Sequence, residues 1–92
     1  MLHLSSSLLL LTAAGASLLS ASELAKAVGD FTRTNLSEQD FRHVACERVE
    51  EEPTEGACKW QQKEGERWRR YFSYVAVDAG GWHLIDEPAP TR

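Results

Sequence analysis

The chain changes its hydrophobic period twice. From Leu8 to Leu19, apolar and small residues run almost without interruption. From Ser22 to Thr32 they recur at helical spacing, with Leu24, Ala27, Val28 and Phe31 at i, i+3, i+4 and i+7. That one-face pattern predicts a short amphipathic helix. After Arg42 the period becomes two, with Val44, Cys46, Cys58, Trp60, Trp68, Phe72, Tyr74 and Ala76 at even positions and Glu47, Lys59, Arg67 and Arg69 between them. Alternation enriched in aromatic and β-branched residues predicts strands. Four are expected, over His43–Glu50, Gly56–Lys63, Glu66–Asp78 and Trp82–Asp86.

The signals between the elements refine this outline. Ser20 with Glu23 three residues on has the form of a capping box, whereas Gly29 costs a helix about 1 kcal/mol relative to Ala. Asn35-Leu-Ser-Glu38 repeats the cap signature and predicts one helical turn through Phe41, although Asn35-Leu-Ser37 is also formally a glycosylation sequon. Pro53 is expected to end the first strand in the polar loop Glu51–Glu55. Lys63-Glu-Gly65 fits a three-residue hairpin loop, which sets Trp60 opposite Trp68; a two-residue loop at Glu64-Gly65 would set Trp60 opposite Arg69. Aromatic cross-strand pairing favours the first register. Ala79-Gly-Gly81 closes the last hairpin, and Glu87–Arg92, with two prolines, is expected to be a disordered or extended tail. Short links between neighbouring strands make the sheet a meander. The expected fold class is α+β, an N-terminal helix packed on a four-stranded antiparallel meander sheet.

Charge then changes the picture of the first 22 residues. Of 92 residues, 24 are Asp, Glu, Lys or Arg, and none lies before Glu23. A spanning helix needs roughly 20 apolar residues, whereas about 7–15 suffice for the core of a signal peptide. The segment Met1–Ser22 is therefore expected to be a signal peptide, with candidate cleavage sites after Ala16 (Ala14-Gly-Ala16) and after Ser22 (Ser20-Ala-Ser22). Cleavage after Ser22 would remove the Ser20 cap, so the first site suits the helix better. The n-region is atypical, with His3 in place of Lys or Arg. The expected address is periplasmic or secreted, with no membrane span after processing. The domain would run over 23–86 with the tail over 87–92.

About 70 residues form a marginal core, so a covalent staple matters. The two cysteines supply one in an oxidising compartment. If the first hairpin folds symmetrically about Glu52, Cys46 and Cys58 lie directly opposite, within bridging distance.

The candidate chemistry is sparse. His43, Cys46, Cys58 and His83 contain the ligand types of a Cys2His2 zinc site or of a thiol enzyme. On a strand, however, positions three apart point to opposite faces, so His43 and Cys46 diverge. Arg67-Trp-Arg-Arg-Tyr-Phe72 interleaves basic and aromatic residues as nucleic-acid surfaces do, but the chain carries net charge −4, with Glu64 and Glu66 beside the motif. The run Glu50–Glu52 with Glu55 lacks the pattern that wraps calcium. No cofactor, metal or nucleic acid is expected. What remains is surface: Tyr71, Val75 and Val77 fall on the odd face of the third strand beside Arg67 and Arg69, and an uncovered patch of this kind is a candidate partner site. Arg67, Arg69, Tyr71 and Val75 are thus the expected contact of a small non-enzymatic interaction protein with an envelope partner.

The closing segment Tyr74 to Asp86, a long strand, a glycine turn and then Trp82-His-Leu-Ile-Asp86, resembles the last hairpin of nuclear-transport-factor-like proteins in the cystatin-like α+β group. The resemblance implies a helix on a curved meander. It implies no activity, because the chain is too short for the usual helices and pocket and has no residues matching their catalytic ones. In style the chain also resembles small uncharacterised exported bacterial proteins.

Overall fold

The computed structural model describes residues 17–92. Helix α1 spans Ala21–Thr32, and a single 3-10 turn spans Glu38–Asp40. Strands follow at β1 Phe41–Val49, β2 Glu52–Glu64, β3 Arg67–Asp78, β4 Gly81–Leu84 and β5 Ala89–Pro90. The order β1-β2-β3-β4 is an antiparallel meander, and β5 pairs with β3 beyond the end of β4. The fold is α+β, as expected. The tail takes the extended alternative: Ala89 lies opposite Phe72, Pro90 opposite Tyr71, and the Thr91 N–H donates to Arg70 O at 2.9 Å.

Helix α1 starts where its cap predicts. The Glu23 N–H donates to Ser20 Oγ at 3.1 Å, and the Ser20 N–H donates to Glu23 Oε1 at 2.9 Å. Its buried face is Leu24, Ala25, Ala27, Val28 and Gly29. Phe31, expected on that face, lies at the rim beside His83 and Leu84 and is 43 % exposed. The helix ends through Arg33 in the left-handed region, and the Thr34 N–H returns to Gly29 O at 3.0 Å.

Two irregularities shape β1. His43 and Val44 together face the single residue Trp60, with His43 at φ 54. This bulge shifts the face parity, so that Phe41 and Cys46, an odd and an even position, both point into the core. At the far end β1 and β2 turn at Glu50-Glu51, and three extra residues of β2, Pro53 to Glu55, lie between the pairs Arg48–Gly56 and Val49–Glu52. Pro53 therefore sits in an irregular stretch of an edge hairpin instead of ending a strand.

The β2–β3 register differs from both expected loops. The turn is the two-residue pair Gly65-Glu66, with Glu64 opposite Arg67, so Trp60 faces Tyr71 and Trp68 faces Lys63. Gly65 has φ 65 at the first central position, where two-residue hairpins favour glycine. Because three is odd, moving Trp60's partner from residue 68 to residue 71 exchanges the faces of β3. Tyr71, Ser73 and Val75 now line the core, and Trp68, Phe72 and Tyr74 lie outside. Volume explains the choice. The helix meets the sheet mostly through Leu24, alanines and Val28, and beneath them Gly56 faces Val75 and Cys58 faces Ser73. Phe72 and Tyr74 in those places would overfill the layer.

Cys46 and Cys58 are directly opposed and form a disulfide, Cα to Cα 4.0 Å, in the centre of this core. It shares the inner face with Trp60, as expected, but not with Trp68.

Candidate functional site

Each face of the sheet has its own chemistry. On the inner face, Trp60 is 2 % exposed and its indole N–H donates to Gln62 Oε1 at 3.1 Å. Tyr71 stacks on Trp60 with centroids 5.9 Å apart and planes at 26°. The Tyr71 hydroxyl donates to Glu64 Oε2, Arg69 lies 5.8 Å from the Tyr71 ring centroid, and Arg69 Nη1 is 3.8 Å from Glu64 Oε1. Burial, and after it the hydrogen bond to the Glu64 carboxylate, raise the Tyr71 phenol above its ordinary pKa.

The four expected contact residues, Arg67, Arg69, Tyr71 and Val75, do share one face. It is the face that carries the helix. Val75 is fully buried and belongs to the core, Tyr71 is half-buried against Trp60, and only Arg67 and Arg69 extend past the helix into solvent. The expectation that this face is uncovered is therefore corrected. The cause is the register of the Gly65-Glu66 turn.

The outer face, uncovered among the described residues, is built from the complementary positions. Three rows cross it: Arg42–Gln61–Arg70, Ala45–Lys59–Phe72 and Glu47–Ala57–Tyr74. Lys63 and Trp68 close the basic end. Arg42 stacks 4.1 Å above the Trp68 ring centroid and its Nε donates to Gln61 Oε1 at 2.7 Å. Phe72 and Tyr74 meet edge to face at 5.0 Å. Tyr74 and Ile85, neighbours through the Ile85 N–H to Tyr74 O bond, are 44 % and 43 % exposed. An open depression of about 410 Å³ lies among His43, Lys59, Arg70, Phe72 and Arg92. Among the described residues, Arg42, Lys59, Lys63 and Arg70 have no ion-pair partner within 4.0 Å; the ion pairs present are Lys26–Asp30, Arg69–Glu64 and His83–Asp78. Four cations thus gather around Trp68 and Phe72 in a chain of net charge −4. Carboxylates on this face, Glu47, Glu55 and Asp78, lie toward its other end.

The metal and thiol alternatives lose their ligands. Both sulfurs are in the disulfide, with Cys46 5 % and Cys58 0 % exposed. His43 is in β1 and His83 in β4, three strands apart, roughly 14 Å at ordinary strand spacing. His83 has a local role: Asp78 Oδ1 accepts from the Gly80 N–H at 2.8 Å and lies 3.0 Å from His83 Nε2, closing the last turn. The Gly80 bond first, and His83 second, hold the Asp78 carboxyl below its ordinary pKa. No helix among the described residues is long and apolar enough to cross a membrane.

Sequence reasoning identified Arg67 and Arg69 as exposed cations but missed Arg42, Lys59, Lys63 and Arg70 as a group. The available signal was their parity: Lys59, Gln61 and Lys63 all alternate with Cys58, Trp60 and Gln62. Compared with family models, with curated proteins and with solved structures, the chain matches none.

Proposed function

We propose that this chain is a small exported, non-enzymatic binding protein whose contact surface is the outer face of its sheet, and that its partner is an envelope protein offering an acidic segment. What carries the reading is the group Arg42, Lys59, Lys63 and Arg70, without carboxylate partners among the described residues, set around Trp68 and Phe72 and continued by Tyr74 and Ile85. Aromatic side chains ringed by arginine are the side chains on which interface energy concentrates. A run of acidic residues would meet the basic end, and apolar residues beyond it would cover the aromatic row. The buried disulfide accords with an oxidising compartment, periplasmic or secreted, and so with a signal peptide in the uncharged N-terminal segment. The cystatin-like resemblance of the closing hairpin adds no activity to this proposal.

Titration of the purified protein with a peptide that joins a glutamate run to leucines tests it, read by tryptophan fluorescence at two salt concentrations. Salt-sensitive binding is expected. The double reversal Lys59→Glu/Arg70→Glu should remove it, and Arg67→Glu on the opposite face should leave it. Equal loss from both variants, tighter binding of an oligonucleotide, or self-association through the same face would overturn the proposal.

A further inference from the structure

We propose that the chain is processed between Ala16 and Ser17, and that Ser17–Ser20 is thereby the first structural segment of the mature domain. The inference rests on the reading that the chain is exported. Four consecutive residues carry it. Ser17 Oγ accepts from the Cys46 N–H at 3.0 Å. The Leu18 N–H donates to Cys46 O at 2.9 Å, and the Leu18 side chain lies over Gly56, where a Cβ would come within 2.8 Å of Leu18 Cδ2. Leu19 is 0 % exposed, among the most completely buried side chains of the protein. Ser20 completes the capping box of α1.

These contacts discriminate between the two small-residue sites. Hydrolysis after Ser22 would remove a fully buried leucine, the helix cap and the hydrogen bonds to both backbone groups of Cys46. Hydrolysis after Ala16 removes none of them. The apolar core of the leader is then Leu8–Ala13, six residues ahead of the Ala14-Gly-Ala16 motif and just under the roughly 7–15 of a signal-peptide core. Ala14 and Ala16 supply the small residues that a signal peptidase reads. In the reaction, water adds across the Ala16–Ser17 peptide bond under a membrane-bound signal peptidase, leaving a carboxylate on Ala16 and an ammonium on Ser17.

The test is expression of the full chain in a bacterial host, with intact mass and N-terminal sequence of the protein recovered from the envelope fraction. A start at Ser17 with the disulfide intact is expected. A start anywhere from Leu18 to Glu23 overturns the inference and leaves export standing, as does an unprocessed, oxidised chain in the envelope. An unprocessed chain in the cytoplasm with two free thiols overturns export as well. Two variants separate the sites. Ala16→Lys should lower processing at least tenfold. Ser22→Lys, at an exposed position of the first turn of α1, should leave it unchanged. The reverse pattern overturns the inference.

Discussion

Trp60 stacks on Tyr71, directly opposite it across β2 and β3, at a centroid distance of 5.9 Å. The pairing follows from the register of the central hairpin, and that register decides which face of β3 the helix covers. The Tyr71 phenol, held above its ordinary pKa by burial and by its hydrogen bond to Glu64, favours the protonated form in the fold. Its stabilisation is complete below the unfolded pKa and is lost as pH rises through the higher folded value. Tyr71→Phe should therefore flatten the fall of the thermal midpoint above about pH 10. Melting curves between neutral pH and pH 11 measure this, and an unchanged slope would count against the assignment.

Gly29 gives a prediction against helix propensity. Replacing it by Ala should gain about 1 kcal/mol at a free helix position. Here a Cβ would sit 2.8 Å from Thr34 O, a backbone atom of the chain returning past the helix end. Overpacking of this kind costs about 1–3 kcal/mol. Gly29→Ala is expected to lower the midpoint of urea unfolding; a rise would show that the Thr34–Leu36 segment yields freely.

The disulfide closes a loop with a sequence separation of 12. In the chain-entropy model that contributes about 3 kcal/mol. The double variant Cys46→Ala/Cys58→Ala should lose that order of stability by denaturant titration, and reductant should shift only the parent protein.

Leu19 lies before the first charged residue of the chain, yet it is buried as completely as Leu24. Leu19→Ala should cost about 2–5 kcal/mol, as buried leucines do. Ser22→Ala, at an exposed position in the first turn of α1, should change the midpoint little. Equal effects would contradict the packing described for Ser17–Leu19.

Features set by neighbouring residues were legible in the sequence. The Ser20–Glu23 cap, the period of α1 through Val28 and the direct opposition of Cys46 and Cys58 all follow from short-range spacing. Features set by a competition between registers were not. Gly65 signalled a turn, but one glycine fits a three-residue loop and a two-residue turn equally well, and the choice rests on what lies beneath the helix. Pairing by aromatic size favoured Trp60 with Trp68. The need for small residues at Gly56, Cys58 and Ser73 favours Tyr71, and that need is visible only once the helix is in place. The same ambiguity placed the candidate contact on Arg67, Arg69, Tyr71 and Val75, whereas the open cations are Arg42, Lys59, Lys63 and Arg70. The β1 bulge at His43 was hidden as well, because it breaks the period-two rule by which strands are read.

The segments Ser17–Leu18 and Ala89–Pro90 lie at opposite sides of the sheet, one along β1 and one along β3. Between β4 and β5, where β3 would otherwise lack a neighbour, Ser73 Oγ donates to Asp86 O at 3.0 Å. A sheet with bare outer strands invites other chains to pair with it, and a covering segment or a proline at the border discourages this. These two pieces of chain act as guards against edge-to-edge aggregation. Trimming either one should make the protein more prone to fibrils or precipitation, even where the helix and the disulfide remain intact.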